Sequence, residues 1–389
     1  MPQSRLVVLI AGNFFVAVSF FSITGLLNEV SSALHVSVAQ AGLLIAAFAL
    51  TAAFAAPVLA TAGSQIDRRK LLTTAMAVCA VANVFCAVSQ TYGQLMAGRV
   101  LAAITSAVYT PQVAATVSML VSEQERGPSL AKLMMGWAIG SVAGAPLVVL
   151  IGTTFGWRVS LASIGVASGV TAWLVWRAVP SDVKVPPLNW QRWIEVIRSK
   201  PLMLLTATTC LNAIGNMIVF AYLAPITRAL HAISGHVLAS LYFVNGAGGL
   251  TGNLASVRMI RSIGAGRIAF VSGISLGVCF LIWPMVAGSL TAIFVMQVLW
   301  SLATGGFPSA QQTRLVMVKP SLASATIAMN SSVGYLGTAI GTMLGGTAWN
   351  LVGPRFMAWA GFVFIAASLL CSYCGEKAAR QDAEGLPAG

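Results

Sequence analysis

Along its 389 residues the chain repeats one pattern: an apolar run of about 20 residues, a short break of Gly, Pro or charge, then another run. These runs place membrane-spanning helices near 6–27, 39–62, 71–89, 94–120, 129–152 and 158–178, and again near 201–226, 236–257, 267–287, 290–314, 322–346 and 355–374. A backbone in hydrocarbon must satisfy its own polar groups, so runs of this length are helices. The expected fold is an all-α membrane protein of twelve transmembrane helices in two pseudo-symmetric six-helix bundles. The first bundle is 1–178, followed by a cytoplasmic linker at 179–200, a second bundle at 201–376 and a cytoplasmic tail at 377–389. Within the linker, 189–198 reads as an amphipathic helix on the membrane surface.

Hydrophobic residues are 58% of the chain and charged residues 8%, a balance no water-soluble fold of this size could hide. The net charge of +13 raises nucleic acid as a partner, but the cations sit in loops between apolar runs and form no solvated basic face, so no nucleic-acid partner is expected. Counted by loop, eighteen Lys and Arg fall on one side and three on the other, which puts both termini in the cytoplasm. The first apolar run is too long for a signal peptide and lacks a convincing cleavage site. All six cysteines lie in or at the end of apolar segments, and Cys371 and Cys374 have no further ligands nearby. No disulfide framework, metal or cofactor is expected.

Three features single out candidate functional residues. The loop GSQIDRRK holds Gly63, Asp67, Arg68 and Arg69, which suit a breakable latch on neighbouring helix ends, or simply a positive-inside loop. In the fifth span Gly136, Gly140 and Gly144 recur every four residues before Pro146 and Gly152, and in the eleventh Gly337, Gly341 and Gly345 do the same. Such a stripe lets another helix approach closely, with a conformational role or with packing alone, and Pro146 permits a bend. Polar residues inside the membrane concentrate on matched spans: Asn13 on the first; Arg99, Ser106, Tyr109 and Thr110 on the fourth; Asn212 and Asn216 on the seventh; Gln297, Gln311 and Gln312 on the tenth. Asn245 on the eighth and Asn330 on the eleventh can contribute from the sides. Each could be an interhelical bond, but their joint restriction to matched helices points to a substrate-binding lining. Arg99 at lipid depth must face inward and find carbonyls, water or substrate.

All nine acids fall near span ends or in loops, among them Glu29, Asp67 and Glu376, and none is placed at mid-membrane. A cavity without carboxylates lacks a counter-ion for a lipophilic cation, which favours neutral or anionic cargo. No inward set of His, Cys and acid could support an enzyme.

These segments resemble a known family. GSQIDRRK is similar, in shortened form, to the signature loop between spans two and three of the major facilitator superfamily; GRVLAAITSA (98–107) is similar to its fourth-span motif, with Arg99 at the arginine. IGSVAGAPLVVLIG (139–152) resembles the fifth-span antiporter motif, FGWR (155–158) the entry to span six, and NSSVGYLGTAIGTMLGG (330–346) the sugar, purine and nucleoside exporter branch of twelve-span drug:proton antiporters. Ala103 and Phe20 depart from it, standing where relatives carry a glycine and a first-span carboxylate. The resemblance implies the major facilitator fold, a monomer in a bacterial inner membrane, and export of a small organic molecule by alternating access with protons as the coupling partner. It leaves the proton-coupling residue unassigned. A proton-independent facilitator and a non-transporting receptor on the same fold are the alternatives.

Overall fold

The structure is a computed structural model that describes residues 3–62, 66–181 and 190–384. Among the described residues it contains helices and no strands. Ten stretches are long and apolar enough to cross a membrane. The last of them, Pro320–Asp382, contains two spans, because Gly353 breaks the helix at φ 74° and ψ 167° just before Pro354. Gly235–Ile263 is a further 29-residue helix whose five glycines and two asparagines make it less apolar than the rest. Together these give the twelve spans of the expected fold.

By contacts the chain divides into two compact units: Met1–Leu188 with Ile233–Phe243, and Asn189–Ala232 with Val244–Gly389. The start of the eighth span joins the first unit for specific reasons. The Tyr242 hydroxyl donates to the Thr24 carbonyl at 3.0 Å, and Gly235 lies so close to Thr153 that a Cβ there would fall 2.2 Å from its hydroxyl.

Several helices depart from their predicted bounds. The first span stops at Phe21, turns through 22–25, and resumes as the short helix Leu27–Leu34, where Glu29 sits in the first turn. The Ser22 hydroxyl turns back to the Ser19 carbonyl at 2.9 Å, offering the chain an alternative to the helical ladder. The seventh span breaks at the matching place, Lys200–Phe220 and then Leu223–Leu230. The fifth is helical over Glu123–Ile139, π-helical over Gly140–Gly144 and α-helical again over Ala145–Phe155. A wide turn just before Pro146, which has no N–H to donate, absorbs the missing backbone bond. The tenth span runs on to Val318 and the twelfth helix to Glu384, both past their predicted ends. The helix Trp190–Arg198 is present, with Val196 fully buried in a cluster with Leu202, Leu205 and Leu322.

Packing within each unit turns on glycine. A Cβ at Gly136 would fall 2.4 Å from the Ile10 carbonyl, at Gly140 2.8 Å from Ala17, at Gly144 2.3 Å from Val18 and at Gly152 2.4 Å from Leu26. The fifth span therefore lies backbone to backbone on the first. In the second unit the eleventh span lies on the seventh in the same way, with a Cβ at Gly337 or Gly341 falling 2.5 Å from the carbonyls of Cys210 and Ile214. Helices in lipid gain no hydrophobic drive to associate, so contact this close supplies the dispersion energy that holds them.

Gly341→Ala should therefore destabilise the protein by about 1–3 kcal/mol, the usual cost of overpacking. Gly334→Ala, on the same helix with its nearest neighbour 3.7 Å from the added carbon, should be neutral or slightly stabilising. Thermal unfolding of the two variants in detergent checks this, and equal shifts would contradict it.

Candidate functional site

In the first unit the site is organised by the broken end of the first span. A helix ends with carbonyls that lack intrahelical partners, and hydrocarbon supplies none. Arg99, fully buried on the fourth span, meets them: Nη1 donates to the Ser19 carbonyl at 2.9 Å and the Ser22 hydroxyl at 3.0 Å, and Nη2 to the Phe20 carbonyl at 3.3 Å. The guanidinium carbon also lies 4.5 Å from the centre of the Phe48 ring. A cation at a helix C-terminus is favoured by the helix dipole as well as by these bonds. Of the three kinds of partner expected for Arg99, protein carbonyls and a hydroxyl hold its two amino groups. Asn83 joins the third span to the same point, its amide donating to the Ser19 hydroxyl at 3.0 Å and the Cys79 carbonyl at 2.8 Å.

Asn13 ties three spans together: its amide donates to the Leu133 carbonyl at 3.1 Å, and its carbonyl accepts from the Thr110 hydroxyl at 2.7 Å. The Tyr109 hydroxyl reaches the Leu9 carbonyl at 3.4 Å across Gly12, where a Cβ would fall 2.0 Å from that oxygen. Asn13, Arg99 and Tyr109 are thus brought together around the first span, all fully buried.

The second unit is different. Asn216 accepts from the Trp300 indole N–H at 2.7 Å, and Trp300 is enclosed by Phe220, Phe280 and Trp283 with ring centres 6.2, 5.2 and 5.9 Å away. Gln297, one turn before Trp300, is fully buried, and neither end of its amide has a hydrogen-bond partner among the described residues. The Trp283 N–H is in the same position. Asn212 is buried and Asn245 half-buried, both without a side-chain hydrogen bond among the described residues. An unsatisfied buried polar group costs about 1–3 kcal/mol, so Gln297 and the Trp283 N–H stand out beside Trp300, as Arg99 Nε and the Thr105 hydroxyl do in the first unit.

Gln311, two helical repeats further along the same face, is fully engaged. Its amide donates to the Leu205 carbonyl and to the Thr209 hydroxyl at 3.1 Å; Thr209 in turn donates to Asn330 at 2.6 Å. Gln311 also accepts from Arg314, which donates to Ser372 at 2.8 Å and pairs with Glu376 at 3.3 Å. The tenth and twelfth helices run past their predicted ends at 314 and 374, which buries Arg314 and leaves Glu376 half-buried against it. Gln312 is exposed.

Of the expected latch, Gly63 lies outside the described residues. Asp67 caps the third span, accepting from the Lys70 backbone N–H at 3.1 Å. Arg68 is buried and donates to Gln112 on the fourth span, and Arg69 lies 4.0 Å over the ring of Trp176 on the sixth. Sequence reasoning missed Trp300 and Thr209; the one signal for either was its place on a span already rich in amides.

The profile of the Major Facilitator Superfamily matches residues 9–342. The chain is 25% identical to the MFS-type transporter YbcL of Bacillus subtilis over 97% of its own length and 98% of that protein's, and 25% identical to the inner membrane transport protein YdhP of Escherichia coli K12 over 96% of both. It is 22% identical, over 94% of this chain and 92% of the other, to a Mannheimia succiniciproducens protein named "Probable sugar efflux transporter". Its fold is that of a bacterial homolog of the human lysosomal transporter Spinster, solved in an inward-facing and occupied conformation, with a TM-score of 0.79 at 17% identity over 96% of each chain. Twelve apolar spans, glycine-packed helices in both units and a family match over most of the chain agree: this protein is a membrane transporter, not an enzyme, and belongs to the Major Facilitator Superfamily.

Proposed function

We propose that this transporter is a proton-coupled exporter of a small neutral or anionic organic compound, working by alternating access as a monomer in a bacterial inner membrane with both termini cytoplasmic. One observation carries the cargo class. Among the described residues the buried polar side chains are amides, hydroxyls and arginines; no Asp or Glu belongs to this core, although Glu29, Asp67 and Glu376 are half-buried and the first two keep one carboxylate oxygen out of solvent. A lipophilic cation moving through such an interior would leave water without gaining a counter-charge, a cost that neutral or anionic cargo avoids. The relative named as a sugar efflux transporter agrees with a polar, uncharged cargo and with export. The eighteen-to-three loop charge bias supports the orientation, and YdhP's printed name supports the inner membrane.

Within this reading the residues take different roles. Gln297, Asn212, Asn216 and Asn245 hold the cargo's hydroxyl or carbonyl groups, since their own amides are open or bonded only to Trp300. Asn13, Arg99 and Tyr109 fix the first span, and Gln311 and Asn330 fix the seventh, so these five shape the binding surface rather than supply all of its contacts. Gly63, Asp67, Arg68, Arg69, Gly140, Gly144 and Pro146 serve the conformational change, the last three through the wide turn that lets the fifth span flex on the first. The family supplies the expectation of protons.

Two measurements test this. Gln297→Leu removes an unsatisfied amide, so the variant should unfold at the same temperature as the parent or higher, yet lose transport by roughly tenfold or more, the worth of one well-placed hydrogen bond. Unchanged transport with raised stability would remove Gln297 from the cargo site. In inverted vesicles, uptake of a cargo found by screening nucleosides, purines, sugars and neutral antibiotics should collapse when an ionophore abolishes the pH gradient. Rates indifferent to the gradient would leave a facilitator.

A further inference from the structure

A groove of about 570 Å³ opens between the eighth, ninth and tenth spans, within the range of about 300–1,000 Å³ typical of ligand sites. Its walls include Met259, Val271, Ile274, Val278 and Leu302, with serines as their polar side chains and no charge or amide. Met259, Val271, Ile274 and Val278 are exposed, so the groove faces outward from the helices that form it. In a membrane-spanning unit such a face meets lipid. Beneath it the eighth and tenth spans approach closely at glycines: a Cβ at Gly252 would fall 2.2 Å from the Leu302 carbonyl, and one at Gly305 2.0 Å from the Gly249 carbonyl.

One end of this groove is positively charged. Arg267 lies four residues before Val271 and seven before Ile274, hence on the same face of the ninth span and one turn beyond the apolar wall. Arg258 precedes Met259 on the eighth, about a quarter turn round from the groove-lining face and at the same level along the helix. Both are exposed, and among the described residues neither has a hydrogen-bond or ion-pair partner. The ninth helix begins here, after Gly264 at φ 89°, with no side chain capping its first N–H groups. Glu376 is placed over Gly266 at this end of the helix, about a quarter turn round from Arg267, and is paired with Arg314 at 3.3 Å.

The matching place in the first unit lacks these properties. There the cavity beside the third and fourth spans is about 110 Å³, and the cations at the start of the third span are satisfied by protein, Arg68 by Gln112 and Arg69 by Trp176. The repeat thus carries the same arginine-then-apolar arrangement twice, closed in one unit and open in the other.

We propose that the groove is a binding site for one anionic phospholipid. An acyl chain lies along Val271, Ile274 and Val278, and the phosphate is held by Arg267, Arg258 and the uncapped start of the ninth helix. Basic residues beside a lipid-facing groove are the arrangement that selects anionic headgroups, because each exposed cation near the headgroup layer adds attraction that a zwitterionic lipid does not return.

Native mass spectrometry of the purified full chain in detergent tests this, using dioleoyl phosphatidylglycerol and dioleoyl phosphatidylcholine at equal concentration. The parent should retain one phosphatidylglycerol in preference to phosphatidylcholine, and Arg267→Gln should lower that preference by roughly fivefold while Arg267→Lys keeps it. Ser275→Trp, which fills the groove from its exposed side and leaves the charge alone, should release the retained lipid. Thermal unfolding confirms that each variant is folded. Equal retention of the two lipids by the parent, or an undiminished preference in both Arg267→Gln and Ser275→Trp, overturns the proposal. So does displacement of the lipid by an equal concentration of inorganic phosphate, which would make this a free-anion site.

Discussion

Every backbone carbonyl inside a membrane needs a partner from the protein, and the sharpest case in this structure is the first span, which stops short and turns within the apolar region. Arg99 answers that need from the fourth span. Its bonds to Ser19, Ser22 and Phe20 make a cation affordable at lipid depth and make a broken helix possible there. The glycine stripe of the fifth span then packs on both sides of the break, from Ile10 to Leu26. The seventh span repeats the break, and there the Tyr222 hydroxyl, at the turn itself, donates to the Thr342 carbonyl of the eleventh span at 3.0 Å. In each unit a long polar side chain and a glycine-packed neighbour meet at the break, but only Arg99 is seen to bond the carbonyls of the broken helix itself.

The units differ in what remains after those bonds are made. In the first, Asn13, Arg99 and Tyr109 are bonded to the helices they join, with Arg99 Nε and the Thr105 hydroxyl left over. In the second, Gln297 and the Trp283 N–H stay unsatisfied beside the Asn216–Trp300 bond. Groups held rigid by packing and left without partners are preorganised for a ligand, which would return the desolvation cost that folding left outstanding. The proposed cargo contacts of the second unit rest on Gln297 and the Trp283 N–H.

Much of the architecture was legible in the chain, because span length, glycine spacing and the inward demand on Arg99 each follow from local rules. The break after Phe21 was not, since Ile23, Leu26 and Leu27 continue the apolar run straight through it; Ser22, Thr24 and Gly25 were the weak signal of a turn. The Arg314–Glu376 pair was hidden by helix ends drawn too early, an error hydropathy invites wherever charge enters a span. Gln297 and Gln311 share a helix and a face, yet one is unpartnered and the other bonded to Leu205 and Thr209. What separates them is how the seventh span lies against the tenth, a matter of tertiary packing that spacing along one helix does not carry.

The lack of any Asp or Glu in the buried core of the described residues is the central physical claim about cargo, and it is tested most directly by transport in proteoliposomes with paired compounds that differ in charge. The parent protein should move a neutral or anionic solute and fail to move a quaternary ammonium compound of similar size, because no Asp or Glu among the described residues belongs to the buried core where it could take the place of the counter-ion. Efficient transport of the quaternary ammonium, undiminished by loss of Arg99, would contradict that claim.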